Sequence, residues 1–287
     1  MLHLKALLAA CLLTPALTLA QGLPIEGRLK QIRDSRTITL AYRTDALPFS
    51  FEDKDKQPSG YSVDLCRRIV NLIEGQIGVQ PLQVKWLPVT VDNRFAAIAD
   101  GKADIECGAS TVTLTRMKQV GFSALTFVDG LGLLIRASTQ GNSLADLGGK
   151  KIAVIEGTSN QAALAEAIKA KAINATVSTV KTREEGLAQL EAGTVDAFAG
   201  DKVLLVGLVA KAKDPKAMAL LGDSLSYEPY AMMLPRDAWS LRVAVDTAIA
   251  QIFSSASLPD IYNRWFAGLG RPGAALEAMY ALGRIPQ

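Results

Sequence analysis

The sequence predicts an α/β protein built from two similar lobes, and three observations support this prediction. The chain has 287 residues, enough for one large or two medium domains with their own cores. Short β-branched runs alternate with helical patterns over most of the chain, which is typical of βαβ units with mainly parallel sheets flanked by helices. A segment of the first half also recurs in the second half at a fixed offset.

The alternation can be followed element by element. Strands are predicted from alternating or continuous β-branched runs at 37–42, 82–89, 103–107, 151–155, 175–180 and 195–199, with a hairpin over 49–61. Helices are predicted from apolar residues at helical spacing at 62–74, 93–100, 160–172, 183–192, 237–254 and 259–266. Because strands and helices take turns, the helices are expected to cover the faces of the sheets.

The repeat aligns AIADGKADIECG (97–108) with QLEAGTVDAFAG (189–200). Three identical residues recur 92 positions apart: Gly101 and Gly193, Asp104 and Asp196, Gly108 and Gly200. Chance similarity between two common helix–turn–strand units is the alternative. If the repeat is real, Ala109 and Asp201 are equivalent positions, each following a strand of its lobe. Ligands bind outside the carboxyl ends of strands in open α/β sheets, so both positions would line a cleft between the lobes.

The first twenty residues resemble a cleavable secretory signal. Lys5 precedes an apolar stretch at 6–13, and small residues occupy the positions that a signal peptidase reads before Gln21. A membrane anchor is disfavoured because the apolar stretch is short and Pro15 interrupts it. We expect cleavage after Ala20 and an exported mature protein.

Cleavage would remove His3, the single histidine, and with it Ser-His-Asp and Cys-His catalysis and almost every kind of zinc site. The remaining 30 Lys and Arg face 28 Asp and Glu, and this mild excess does not indicate a nucleic-acid partner. We expect no metal or cofactor. Cys66 and Cys107 remain after cleavage, and in an oxidising compartment they form either a disulfide or two buried thiols.

The stretch IECGASTVTLTR (105–116) has the composition of a carboxylate-binding segment. We expect the strand to end at Cys107 and a helix to begin near Thr113, so that backbone N–H groups and the helix dipole favour an anion there. The Thr111 hydroxyl adds a donor, and Arg116 can bind a carboxylate through two parallel hydrogen bonds. Ordinary helix capping with a solvated arginine is the alternative.

Three segments resemble family 3 periplasmic solute-binding proteins, which bind polar amino acids for ABC importers, and in particular their glutamate/aspartate-binding branch. They are PFSFEDKDKQPSGYSVDLCRRI, ADIECGASTVTLTRMKQVGFS and DLGGKKIAVIEGTSNQ, and the likeness extends from about residue 38 to residue 266. The resemblance implies a periplasmic-binding-protein-like (type II) fold with the ligand cleft between the lobes. It places the crossings near Arg136 and Pro235, so that lobe 1 comprises 21–135 and 236–287 and lobe 2 comprises 136–235.

The resemblance also implies residue roles. The ligand α-carboxylate would contact the Ala109 N–H, the Thr111 hydroxyl and Arg116, and the α-ammonium would contact Asp201. Thr158 and Ser159 would add contacts from the second lobe. The chain departs from the glutamate/aspartate branch where Ala109 and Val91 stand in place of serines, and Arg183 in place of a histidine.

Three arginines lie at predicted cleft-facing ends of strands or helices: Arg43, Arg94 and Arg183. Each alone is typical of a solvated surface residue. Together they would repel one another around a small pocket, and a second ligand carboxylate would relieve that repulsion. The sequence therefore favours glutamate or aspartate as the ligand.

The expected function is that of a monomeric receptor that delivers an amino acid to a membrane ABC permease. One alternative is a dehydratase on the same scaffold, for which Glu156, just after a predicted strand, would be the general acid or base. The other is a ligand-sensing subunit of a membrane receptor.

Overall fold

A computed structural model describes residues 23–286, so the predicted signal segment lies outside the described residues. Its strands are β1 (Thr37–Arg43), β2 (Asp45–Ala46), β3 (Ser50–Glu52), β4 (Pro58–Ser59), β5 (Gln83–Val89), β6 (Ile105–Thr111), β7 (Gly121–Asp129), β8 (Leu131–Arg136), β9 (Lys151–Ile155), β10 (Thr176–Val180), β11 (Ala197–Asp201), β12 (Met218–Leu220) and β13 (Glu228–Leu234). Its α-helices are α1 (Gly27–Ser35), α2 (Tyr61–Ile77), α3 (Arg94–Ala99), α4 (Ser159–Ala170), α5 (Arg183–Ala192), α6 (Lys202–Val209), α7 (Trp239–Ser254), α8 (Ser257–Phe266) and α9 (Ala274–Leu282). The predicted alternation is therefore present, and α5 has the predicted bounds.

Two five-stranded sheets form the two lobes. The order is β5-β1-β6-β13-β7 in lobe 1 and β10-β9-β11-β8-β12 in lobe 2. In each sheet two neighbouring pairs are parallel and two are antiparallel, so the sheets are mixed rather than mainly parallel. Each antiparallel pair includes β8 or β13, the strands that follow the two crossings between the lobes. No crossover helix, which a parallel pair would require, directly precedes either strand.

The crossings lie elsewhere than predicted. The chain passes from lobe 1 to lobe 2 at Gly130, because β8 already belongs to the second sheet, and it returns before β13, which belongs to the first. A Cβ on Gly130 would lie 2.4 Å from the Ser224 Oγ atom of the returning segment, so the two crossings run side by side. The predicted boundaries at 136 and 235 are therefore wrong. Strands β8 and β13 were not among the predicted strands, and an apolar run gives no sign of which sheet a strand joins.

The repeated segments have the same geometry in the two lobes. Gly101 and Gly193 both have positive φ, at 69° and 74°, just after α3 and α5. Asp104 accepts a hydrogen bond from the Thr39 N–H, and its equivalent Asp196 accepts one from the Lys151 N–H, at 2.6 and 2.9 Å. Each aspartate thus connects the start of its strand to the neighbouring parallel strand.

A disulfide joins Cys66 on α2 to Cys107 on β6, with the Cα atoms 6.1 Å apart. Both residues are fully buried in the lobe 1 core. The bond therefore holds the strand that leads to Thr111 against the longest helix of that lobe. Among the described residues, no helix has the length and apolar character needed to span a bilayer.

Candidate functional site

The carboxyl ends of the central strands of both sheets meet at the cleft between the lobes. Arg43 ends β1, Thr111 ends β6 and Asp201 ends β11. All three residues are buried. Because neighbouring parallel strands have their carboxyl ends at one edge of the sheet, each lobe presents these side chains toward the other.

The carboxylate-binding segment differs from its predicted form. Strand β6 continues through Thr111 instead of ending at Cys107, and a short 3₁₀ turn at Arg116–Lys118 follows in place of the helix expected near Thr113. Pairing with β13 extends the strand, which the small residues of this stretch did not reveal. The prediction of a helix N-terminus as the anion site is therefore wrong, and the donors here come from a strand end.

Thr111 and Arg116 nevertheless lie together. The Arg116 Nη1 atom donates a hydrogen bond to the Thr111 carbonyl oxygen at 2.8 Å, and the guanidinium carbon lies 5.1 Å from the centre of the Phe95 ring. Ala109 lies between residues of β6 that pair with β13, and it is partly exposed. Burial lowers the pKa of Arg116, and Glu228 and Asp201 oppose this effect.

In lobe 2 the start of α4 faces lobe 1. Thr158 precedes the helix, and its hydroxyl donates to the Ile155 carbonyl oxygen at 2.7 Å, so this hydroxyl serves the local turn. The Ser159 hydroxyl crosses the cleft instead. It lies 3.2 Å from the Thr111 Oγ1 atom and 2.8 Å from the Glu228 Oε2 atom, both in lobe 1.

Asp201 is buried, with one carboxylate oxygen satisfied and one free. Its Oδ2 atom accepts a hydrogen bond from the Asn160 Nδ2 atom at 3.0 Å, while Oδ1 has no hydrogen-bond partner among the described residues. Burial and the nearby Glu228 raise the pKa of Asp201, against the opposing effect of Arg183. A buried carboxylate oxygen without a partner is costly, and a bound cation would satisfy it.

Two further carboxylates of this cluster were not predicted. Glu228 begins β13 and accepts hydrogen bonds from Ser159 and, at 2.7 Å, from the Ser226 hydroxyl. Asp129 ends β7 and accepts hydrogen bonds from the Gly130 and Val203 N–H groups at 2.8 and 3.0 Å. Burial, and then the charge of Asp201, raise the pKa of Asp129 to about 7. These positions escaped prediction because they lie at the crossings, whose location the sequence did not reveal.

Arg43 and Arg183 face each other across the cleft with Asp45 between them. Nη2 of Arg43 lies 2.6 and 2.8 Å from the two Asp45 oxygens, and Nη1 of Arg183 lies 2.8 Å from Asp45 Oδ2. Burial alone would raise the pKa of Asp45, but Arg183 and Arg43 outweigh it and lower that pKa. Asp45 has no periodic or motif signal, and only the tertiary structure shows it between the two arginines.

Arg94 lies near Arg43 and Arg183, beside the buried carboxylate of Glu106. Arg94 is buried at the start of α3, donates to the Val91 carbonyl oxygen through Nη1, and has a buried Nε without a partner among the described residues. Burial, and then Arg43, lower its pKa to about 9. Glu106 is fully buried, and its pKa is raised because burial outweighs Arg94 and Arg43. Gly108 leaves room for it, since a Cβ there would lie 1.9 Å from Glu106 Oε1.

Val91 and Glu156, which the sequence analysis singled out, lie in contrasting surroundings. Val91 is buried within an apolar cluster whose other members belong to lobe 2, so this residue forms an apolar contact across the cleft. Glu156, the candidate acid or base of a dehydratase, is exposed just after β9. Within residues 23–286, no three His, Cys, Asp or Glu side chains are grouped so that they could hold a metal ion.

The geometry can be compared with known proteins. The chain is 32% identical over 243 residues to the L-glutamate/L-aspartate-binding protein of Pseudomonas aeruginosa, which covers 84% of this chain and 80% of the relative. It is 32% identical over 259 residues to the glutamate/aspartate import solute-binding protein of Escherichia coli K12, covering 88% and 86% of the two chains.

Solved structures with the same fold include the ancestral amino acid-binding protein AncCDT-1, described as a precursor of cyclohexadienyl dehydratase. That structure has a TM-score of 0.70 and 26% identity, and the match covers 84% of this chain and all of the other. A mutant of the T. maritima arginine-binding protein has a TM-score of 0.71 at 22% identity, covering 83% and 98% of the two chains. The fold is thus that of the type II periplasmic amino-acid-binding proteins.

The family model of the bacterial extracellular solute-binding proteins, family 3, matches residues 38–268, which include both lobes and the cleft between them. The chain belongs to this family.

Proposed function

We propose that the protein is an extracytoplasmic receptor that binds L-glutamate or L-aspartate between its lobes and delivers it to an ABC import permease. The observation that carries the proposal is the distribution of buried charge in the cleft. One end holds the guanidiniums of Arg43, Arg94 and Arg183, and the other holds Arg116 with the carboxylate of Asp201.

The head group of an amino acid fits the second end. Its α-carboxylate would be bound by Arg116, the Thr111 hydroxyl and the Ala109 N–H, because a guanidinium forms strong charge-assisted hydrogen bonds with a carboxylate. Its α-ammonium would be bound by the free Oδ1 atom of Asp201. Ser159 contributes from lobe 2, whereas the Thr158 hydroxyl is already bonded to its own turn.

The first end favours an acidic side chain. Three guanidiniums there face two carboxylates, Asp45 and Glu106. One positive charge therefore remains uncompensated, and the buried Nε atoms of Arg43 and Arg94 have no hydrogen-bond acceptor among the described residues. A distal carboxylate of the ligand would supply the missing charge and acceptors, and the names of the two relatives at 32% identity support the same ligands.

In this role the protein binds its ligand without a chemical reaction, and it acts in the periplasm as a monomer. The exposure of Glu156 argues against its acting as the general acid or base of a dehydratase, because such a group works best where water is excluded. Incubation with amino-acid-like acids, followed by a search for product, tests this part. Formation of product would show that the protein is an enzyme and would contradict the proposed receptor function.

Calorimetric titration of the mature protein with glutamate, aspartate, glutamine and lysine tests the ligand assignment. Glutamate or aspartate is expected to bind at least tenfold more tightly than glutamine, a difference of about 1.4 kcal/mol. Lysine is expected not to bind measurably, since its ammonium would lie among three guanidiniums. Equal affinity for glutamate and glutamine would remove the acidic assignment and leave the amino-acid head-group site standing.

A further inference from the structure

Asp45 occupies an unusual position in the cleft, between arginines from opposite lobes. Its side chain is 21% exposed, whereas those of Arg43 and Arg183 are 3% and 10% exposed. Both of its oxygens contact Arg43 and one also contacts Arg183, at distances of 2.6–2.8 Å. The three side chains therefore form a carboxylate bridge between two guanidiniums, located where the arginine-rich end of the cleft closes.

The bridge rests on well-anchored elements. Asp45 lies in β2, which pairs with β3, and the Arg43 N–H is fixed by the Ser50 hydroxyl at 3.0 Å. Arg183 is the first residue of α5, a helix capped by the Thr182 hydroxyl, which accepts from the Glu185 N–H at 3.1 Å. The backbone at each of these three residues is thus held by regular structure.

A carboxylate in this position has two effects that can be separated. It attracts the two lobes to each other through Arg183, which favours closure with any ligand. It also repels another carboxylate that approaches the same guanidiniums, and this second effect acts only on ligands with an acidic side chain.

We infer that Asp45 is a specificity-determining residue that competes with the distal carboxylate of an acidic ligand for Arg43 and Arg183. The inference rests on the proposed function, because it concerns the distal end of the same amino-acid site. Asp45 reduces the preference for glutamate over glutamine, since the amide carries no charge for Asp45 to repel. The arginines thus favour an acidic side chain, and Asp45 limits by how much.

The ratio of the Kd for glutamine to the Kd for glutamate isolates this effect, because a change in closure affects both ligands alike. Calorimetric titrations of Asp45→Asn and Asp45→Ser are expected to show a ratio at least threefold higher than in the wild-type protein. Two substitutions of different shape guard against a local packing defect in either one. Asp237→Asn removes the same charge from an exposed surface site, with its side chain 86% exposed, and should leave the ratio unchanged.

The possible outcomes distinguish the role of Asp45 from the proposed function. A higher ratio in both Asp45 variants supports the inference, even if the affinity for both ligands falls through weaker closure. Tight binding of glutamate with an unchanged or lower ratio in these variants overturns the inference and leaves the proposed function intact. Binding of neither ligand by the wild-type protein overturns the proposed function and, with it, the assignment of Asp45.

Discussion

The Ser159 hydroxyl offers a sharp test of how closure and binding are coupled. It extends from the start of α4 in lobe 2 and contacts Thr111 and Glu228 in lobe 1, at 3.2 and 2.8 Å. Ser159→Ala removes both contacts and leaves the methyl group of alanine, which is a good helix former. Opening the lobes would break the same contacts, so the substitution should act on the closed arrangement alone.

The size of the effect follows from the partners. The shorter contact is a hydrogen bond from a hydroxyl to a carboxylate, and such bonds contribute about 1.5–3 kcal/mol. Ser226 still donates to Glu228 Oε1, while Oε2 loses its bond from Ser159, so the carboxylate keeps one of its two hydrogen bonds and the lower half of that range applies. A loss of about 1.5–2 kcal/mol from the closed state corresponds to a Kd raised about 10- to 30-fold, with the increase mainly in the dissociation rate.

Calorimetric titration with glutamate measures the Kd, and stopped-flow displacement measures the dissociation rate. Ser178→Ala is a matched control, because Ser178 is an exposed serine on β10 of the same lobe. The thermal stability of the unliganded Ser159→Ala protein should stay near that of the wild type. An affinity within twofold of the wild-type value would mean that the cross-lobe hydrogen bonds of Ser159 contribute nothing to the bound state, contrary to this prediction.

Two further predictions concern stability. The Cys66→Ala/Cys107→Ala double variant should lose about 4 kcal/mol of unfolding free energy, because the 41-residue separation is no longer closed in the unfolded chain. Thiol titration of the denatured, unreduced mature protein should find no free thiols, and two would contradict the disulfide. The pKa of Asp129 is raised to about 7, so between about pH 4 and pH 7 the folded protein keeps a proton on this carboxyl that the unfolded chain has lost. The free energy of unfolding should therefore fall as the pH rises from about 4 through 7. Urea denaturation at several pH values should show a smaller fall for Asp129→Asn, and parallel curves would contradict the shift.

The local elements and the repeated lobes could be predicted because they depend on short-range patterns. Apolar residues at helical spacing predicted the bounds of α5 correctly, and the structure adds an N-terminal cap at Thr182. The repeat was predictable because Asp104 and Asp196 perform the same task in each lobe, where a glycine with positive φ precedes the strand.

The errors arose where distant segments decide the structure. Strand β6 extends to Thr111 because β13, more than a hundred residues later, pairs with it. Asp45, Asp129 and Glu228 have no local signal as site residues, and only tertiary packing brings them to the cleft. The three predicted arginines do lie at one end of the cleft, but the carboxylates beside them compensate part of their charge.

The proposed complex binds the two charges of an amino-acid head group on opposite lobes. Calorimetric titration of glutamate into Arg116→Ala and Asp201→Ala tests this arrangement, with Arg271→Ala as a control at an exposed position. Each of the first two variants should lose about 2–5 kcal/mol of binding free energy, a 30-fold to several-thousand-fold rise in Kd, because one ligand charge would be left buried without a partner. Near-wild-type affinity in either variant would contradict this arrangement.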